Sequence, residues 1–297
     1  MKLHLVDATY ELFRAHYAPR PPVLGREGIA LSGVSGVVEQ LLYLLREEGA
    51  THVGCATDHV IESFRNDMWP GYKSSAGMPP ELLAQFPIVE DAIRALGLVV
   101  WPMTEFEADD AIAAACARFR GDPSVEQVVV CTPDKDMAQL VDDARVVLFD
   151  RRRRIVYDEA AVIEKWGVRP ASIPDWLALV GDSADGFPGL PGWGAKSAAA
   201  VLFRYGSLEG IPARASEWSV PSLRGGPALA ATLRERWDEA QLFRSLARLR
   251  TEADGVMIPE HTVAELEWCG TPRAQWHAFC EQWGMARLAA RPHRWGA

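Results

Sequence analysis

Nine carboxylates fall where acidic side chains can do metal chemistry. Asp7 directly follows the apolar run Leu3–Val6, Asp58 follows Val53–Ala56 after one threonine, and Asp134 and Asp136 follow Val128–Cys131 in CTPDKD. Glu107, Asp109 and Asp110 stand in FEADDAIAA at the head of an alanine-rich stretch, where the partial positive charge of a helix N-terminus tolerates acids. Asp182 and Asp185, in VGDSADGFPG, are three residues apart, so one helical turn puts both on the same side. Each group alone has an ordinary explanation: EADD as a solvated helix start, DKD as a turn, GDSAD as a cap and turn. Together they resist it. Nine like charges in one crevice repel unless cations neutralise them, and oxygen donors select hard divalent cations, Mg²⁺ or Mn²⁺. No pair of histidines has metal-ligand spacing and no cysteine cluster occurs, which argues against zinc. Two hard ions about 3.5–4 Å apart, held by shared carboxylates, activate a water and stabilise the leaving oxygen of a phosphodiester.

These acids need elements that bring them together. The first half alternates strand and helix signals. Strands are expected at Leu3–Val6, Val53–Ala56, Leu98–Trp101 and Val128–Cys131, and again at Val146–Phe149 and Ile155–Tyr157 on either side of Arg151–Arg154. Helices are expected around Val37, Val38, Leu41, Leu42 and Leu45 with a stop near Gly49, over Glu81–Leu96 closed by Gly97, and over Asp109–Phe119. Residues 60–79 read as irregular. The alternation implies an α/β core with a mostly parallel sheet covered on both faces, and ligands bind outside the carboxyl ends of such strands. After about residue 160 helical segments separated by Gly/Pro turns take over, and nine of the eleven tryptophans lie there. They are expected to fill a small helical core, with one or two available for base stacking. In GLPGWGAKSAAAVL, Gly189, Gly192 and Gly194 let backbone approach phosphate, the helix carrying Lys196 and Ser197 opens with free N–H groups, and Lys196 adds charge. The run Arg151–Arg154 reads as a solvated hairpin turn, with a phosphate contact as the alternative.

Composition narrows the classes. The chain has 297 residues, 48% hydrophobic and 24% charged, ordinary for a soluble globular protein. No uncharged apolar run approaches the ~18 residues of a membrane span, and Asp7 interrupts any signal-peptide core. Five cysteines without a CxxC are expected as reduced thiols in the cytoplasm. A net charge of −9 at face value argues against a phosphate-backbone binder. The nine candidate acids account for all of it, however. Two divalent ions would offset four of those charges and leave the remaining surface about neutral, with room for basic patches.

Nearly end to end, the chain resembles the 5′-nuclease family: the 5′→3′ exonuclease domain of bacterial DNA polymerase I, phage exonucleases and flap endonucleases. The stretches that carry the resemblance are LVDATYELFRAHYA, SFRNDMWPGYKSS, FEADDAIAA, CTPDKDMAQLV, DWLALVGDSADGFPGLPGWGAKSAA and FRSLARLRTE. The resemblance implies a PIN/Rossmann-like nuclease core over residues 1–165 with a helical arch near 60–85. It implies a helical DNA-binding region over 166–297, with a helix–three-turn–helix module near 174–205, packed on the core. It also implies two-metal hydrolysis of DNA with free 5′ ends or 5′ flaps, giving 5′-phosphate and 3′-hydroxyl ends. By this resemblance Asp7, Asp58, Glu107 and Asp109 hold one divalent cation. Asp109, Asp134, Asp136 and Asp185 serve the second, and Asp110 and Asp182 are direct or water-mediated supports. Tyr72 would stack on a base, Lys73 would meet the scissile phosphate, and Arg14 matches a basic residue beside the first acid. The glycine turn of 189–194 would grip duplex DNA and hold a monovalent ion such as K⁺ through carbonyls. Three positions depart from the family pattern: Pro133 stands where glycine is usual, Gly186 where asparagine is usual, and Ala76 where arginine is common. The Ala76 departure bears on phosphate steering and single-strand threading. The absence of a polymerase region suggests a stand-alone nuclease, or one acting beside a separate DNA polymerase.

Rival readings fare less well. Gly189, Gly194, Lys196 and Ser197 nearly spell a phosphate-binding P-loop, but Ala195 is inserted before the lysine and the segment follows a Pro-rich turn rather than a strand. GDSAD lacks the second glycine of a nucleophile elbow. A PIN-type ribonuclease shares the acidic core but lacks the DNA-gripping module. A non-catalytic branched-DNA-binding protein would have little reason to keep nine acids.

Overall fold

The computed structural model describes residues 1–19, 21–221 and 223–296. In chain order its elements are β1 (Lys2–Asp7), α1 (Ala8–His16), α2 (Ser32–Arg46), β2 (His52–Asp58), α3 (Phe64–Met68), α4 (Pro80–Leu83), α5 (Gln85–Ala95), β3 (Val99–Met103), α6 (Ala108–Phe119) and β4 (Gln127–Cys131). There follow β5 (Val146–Asp150), β6 (Ile155–Tyr157), α7 (Glu159–Trp166), α8 (Ile173–Val180), α9 (Ala195–Tyr205), α10 (Gly226–Glu235), α11 (Trp237–Ala247), β7 (Thr271–Pro272), α12 (Arg273–Trp283) and β8 (Trp295–Gly296).

Two compact units share the chain, and each is discontinuous where motif reading draws one boundary at 165/166. The first comprises Met1–Ile61, Ser75–Thr132 and the described residues from Arg250 onward. Its strands run parallel in the order β3-β2-β1-β4, with Leu5 beside Gly54 on one side and Val130 on the other. Every residue of β2 is buried, as are Leu3–Asp7 of β1. Such unbroken burial is what a parallel sheet covered on both faces requires. The buried alanines Ala111, Ala113, Ala114 and Ala115 let α6 lie close against β1, β2 and β3. Trp268 and Trp276 complete this unit's interior, their indole N–H groups donating to Leu96 O (2.9 Å) and Leu288 O (3.2 Å).

The second unit comprises Glu62–Ser74 and Pro133–Leu249. It holds the antiparallel hairpin β5–β6, turned through Arg151–Arg154, and helices α7 to α11, with α8 packed on α9 and α11. Phe187 stacks on Phe243 at 5.8 Å, and Trp69 meets the same ring edge-on at 5.3 Å. α8 and α9, joined by the glycine-rich loop 181–194, form the helix–turn–helix part of this unit.

Three expectations change. The helix expected over Glu81–Leu96 is two, α4 and α5. Pro87 has no N–H to give Leu83 O, so an unbroken ladder cannot pass. The late tryptophans do not share one core: Trp166, Trp176, Trp193, Trp218 and Trp237 belong to the second unit, and Trp268, Trp276, Trp283 and Trp295 to the first. Between residues 60 and 85 the expected arch consists of turns with the short α3 and α4. The five cysteines are thiols, four of them buried. No helix among the described residues is long and apolar enough to cross a membrane.

Candidate metal centre

The first unit carries five of the nine acids at the carboxyl ends of its strands and the head of α6. Asp7 ends β1 and caps α1: Tyr10 N–H donates to its Oδ1 (2.8 Å), and Thr132 Oγ1–H donates to its Oδ2 (3.1 Å). Asp58 ends β2, its own N–H donating to Thr9 Oγ1 (2.8 Å) while its Oδ1 accepts from Ala108 N–H (2.6 Å). Glu107 is buried at the N-cap of α6 and its N–H donates to Asp110 Oδ2 (3.0 Å). Asp110 is fully buried, its Oδ1 accepting from Arg250 N–H (2.8 Å). Main-chain donors thus take both its oxygens, which makes it an anchor for the start of α6. Asp109 is half-buried on the same first turn.

The second unit carries the other four. After β4 the chain turns, and Asp136 N–H donates to Asp134 Oδ1 (3.1 Å). Asp182 and Asp185 lie beyond the end of α8 in a closed turn, not on a helix. Gly186 and Phe187 N–H both donate to Asp182 O (2.8 and 3.0 Å), and Ala184 N–H donates to Asp182 Oδ1 (2.9 Å). This turn brings Asp136, Asp182 and Asp185 together, with one oxygen of each within 4.8 Å of the others, a grouping found at no other acids among the described residues. Asp134 stands beside the trio rather than in it. Asp136 is buried, and its Oδ1 has no hydrogen-bond partner. Burial pushes its carboxyl well above the ordinary range, and Asp134, Asp185 and Asp182 add to this against the pull of Lys135.

Lysines answer these charges. Lys135 Nζ pairs with Asp182 Oδ2 and stands 3.8 Å from Asp136 Oδ1. Burial opposes its charge, but Asp136, Asp182 and Asp134 outweigh burial and leave its pKa above the ordinary lysine value. Lys73 Nζ lies 3.3 Å from Asp185 Oδ1, and Lys73 N–H donates to Asp185 O (3.0 Å). Tyr72 is only 5% exposed, so its ring does not present a face on which a base stacks. Arg14 is paired with the buried Glu11 (Nε to Oε2, 3.0 Å) on α1.

The segment bearing Lys73 is held by residues whose roles were not apparent in the sequence. Arg65, 2% exposed, donates through Nε to Leu246 O (2.8 Å) and through Nη2 to Arg248 O (3.1 Å), at the carboxyl end of α11. Asn66 Nδ2–H donates to Lys73 O (3.0 Å), and Trp69 Nε1–H donates to Gly186 O (3.1 Å). Gly186 has φ +83°, and a Cβ there would lie 2.0 Å from Gly71 O, so the usual asparagine does not fit. In the first unit the buried Glu90 accepts from Thr57 Oγ1–H (3.0 Å) and meets His59 Nδ1 (3.0 Å), flanking Asp58 on both sides.

Along the glycine turn, Gly189 (φ +69°) is buried where its backbone crosses that of Gly181, and Gly192 (φ +83°) is exposed. Gly194 caps α9: its N–H donates to Ser197 Oγ, and Ser197 Oγ–H donates to Gly194 O, both at 3.0 Å. Lys196 is exposed on the first turn. Gly192, Gly194, Lys196, Ser197 and, unanticipated from sequence, Arg224 line an open groove of about 590 Å³. Arg152, Arg153 and Arg154 are exposed in the β5–β6 turn, with Arg153 N–H donating to Asp150 Oδ1 (3.0 Å).

Residues 2–167 match the model of the 5'-3' exonuclease N-terminal resolvase-like domain, and residues 168–267 that of the 5'-3' exonuclease C-terminal SAM fold. DNA polymerase I of Mycobacterium leprae is 39% identical over 214 residues, 70% of this chain and 23% of that protein. The chain spans about a quarter of the length of the DNA polymerase I relatives it matches. A 5'-3' exonuclease of Aquifex aeolicus is 31% identical over 210 residues, 70% of this chain and 71% of that one. The flap endonuclease of bacteriophage T5, solved as a pseudo-enzyme–product complex with DNA and metal ions, superposes with a TM-score of 0.63 at 20% identity. That match covers 83% of this chain and 89% of the phage protein, and shows the fold. With both domain models in place and a relative of similar length beside them, the chain belongs to the 5'-3' exonuclease family.

Proposed function

We propose that this protein is a divalent-metal-dependent 5′ nuclease that hydrolyses DNA phosphodiesters at free 5′ ends and 5′ flaps, leaving 5′-phosphate and 3′-hydroxyl ends. The observation that carries the reading is the trio Asp136, Asp182 and Asp185, with a buried Asp136 oxygen that no hydrogen bond satisfies. An all-oxygen set of this kind suits a hard cation, Mg²⁺ or Mn²⁺. The T5 relative, described with metal ions and DNA, is in keeping with this.

In this reading Asp136, Asp182 and Asp185, with Asp134 beside them, would hold one ion. Asp7, Asp58, Glu107 and Asp109 would hold another, with Asp110 fixing the helix start. Bound there, divalent cations lower the pKa of water and offset charge on a phosphodiester. The chain's own residues do the rest. Lys73 trades Asp185 for the scissile phosphate and holds it in place. Arg14, oriented by Glu11, adds positive charge beside Asp7. The backbone of Gly192 and Gly194, the α9 N-terminus with Ser197, and Lys196 grip duplex phosphates without reading sequence, while Gly189, buried against Gly181, shapes the turn.

A 5′-end-labelled flap duplex incubated with Mg²⁺, Mn²⁺ or EDTA tests the proposal. Release of the flap oligonucleotide with either metal and none in EDTA is expected. Mononucleotides alone would place the activity at free ends only. No product with any metal on branched, nicked or single-stranded DNA would overturn the reading.

A further inference from the structure

We propose that the ammonium of Lys135 occupies the cation position of the Asp136–Asp182–Asp185 trio and must withdraw before a divalent ion enters, so that Lys135 sets the affinity of this centre for metal. The inference rests on reading the trio as a metal centre. It goes further, because it gives the centre a resident competitor within the chain.

The geometry is specific to this lysine. Ala184 N–H takes Asp182 Oδ1, and Lys135 Nζ takes Asp182 Oδ2. The same Nζ is 3.8 Å from Asp136 Oδ1, the buried oxygen that accepts no hydrogen bond. One ammonium therefore addresses two of the three carboxylates an ion would need. The third, Asp185, is paired with Lys73. The side chain of Lys135 is 31% exposed, whereas those of Asp136 and Asp182 are 8% and 3%. The lysine thus has a way out to solvent and the carboxylates do not. A compact charge on a flexible four-carbon stem is suited to such an exchange. Because metal binds only molecules whose lysine has withdrawn, the apparent dissociation constant is raised by the reciprocal of that fraction.

The test is a Mn²⁺ titration, read from the paramagnetic resonance of free ion, on the full chain. Wild type, Lys135→Met, Lys135→Gln and Asp182→Asn are compared, with thermal melts of each with and without metal. Asp182→Asn should lose one bound ion. Lys135→Met and Lys135→Gln should each bind that ion at least about tenfold tighter than wild type. Both should melt lower than wild type without metal, since the carboxylates then repel, and should gain more from Mn²⁺. The glutamine variant serves if the methionine one fails to fold. In ¹⁵N-lysine spectra of wild type, adding Mg²⁺ should move the Lys135 ammonium resonance towards that of an exposed lysine. If Asp182→Asn loses an ion but neither lysine variant binds more tightly, the competitor role is wrong and the metal centre stands. If Asp182→Asn binds as many ions as wild type, the metal reading of the trio fails, and this inference with it.

Discussion

In the first unit, Asp7, Asp58 and Asp110 accept from main-chain N–H groups and a threonine hydroxyl; in the second, Asp182 and Asp185 face the ammonium groups of Lys135 and Lys73. The difference is between donors that stay and donors that leave. A peptide N–H at a strand end or helix start is fixed by the fold and costs no reorganisation when charge arrives. A lysine carries a full charge on a rotatable stem and can exchange one anion for another. The first set therefore arranges carboxylates in advance, and the second, under the exchange proposed above, balances them until a ligand replaces the lysine.

Removing a carboxylate from the first unit is the severest test of this contrast. Asp109→Ala should abolish cleavage of the labelled flap while its melting temperature and DNA affinity stay near wild type. Loss of the fold along with activity would make Asp109 a structural acid instead. Next in size is Arg65→Met in the second unit. It removes a buried guanidinium that ties the segment bearing Lys73 to the end of α11, leaving two carbonyls short of donors. A cost of about 3 kcal/mol is expected in a chemical denaturation curve. A variant as stable as wild type would mean that α3 is held in place without it.

A smaller effect probes one fixed donor directly. Thr132→Val keeps the shape of a side chain that is 1% exposed but removes the hydroxyl that donates to Asp7. About 1 kcal/mol of positioning should be lost, read as roughly fivefold in kcat with KM for DNA unchanged. An equal fall in DNA affinity would show that Thr132 supports the fold near the DNA and not the carboxylate.

The fixed set was the more legible of the two in the sequence. An acid placed directly after an apolar run is a local pattern, and β1 and β2 do end on Asp7 and Asp58. Likewise the alanine-rich stretch begins its helix one residue before the expected Asp109, with Glu107 at the cap. The exchangeable set depends on contacts that no local pattern encodes. Lys135 lies between two recognised acids, but its role is set by Asp182, brought back by the turn after α8. Arg65 reaches carbonyls more than 180 positions away. Gly186 departs from the family pattern because Gly71 passes 115 residues earlier in the chain and close in space. Tyr72 carried a motif but no sign of its burial, since exposure depends on everything packed around a ring.

A third kind of charge in the second unit gives the smallest and sharpest contrast. Arg244 bridges the buried Asp175 (3.2 Å) and the exposed Glu209 (2.7 Å), joining α8, α11 and the loop after α9. Here the cation is a guanidinium, which holds its partners in a fixed fork instead of exchanging them. The hydrogen bond from Arg244 holds the Glu209 carboxyl at about 2, below its ordinary 4.5. A lowered folded-state pKa stabilises the protein above the unfolded value, and that stability fades as pH falls through the folded one. Glu209→Gln should therefore melt below wild type at pH 7 by less than about 1 kcal/mol, because solvent screens an exposed pair. The gap should narrow from pH 4.5 downward and close near pH 2. A gap that persists unchanged at the acid end would mean that Glu209 acts through packing, and that its charge does nothing for the fold.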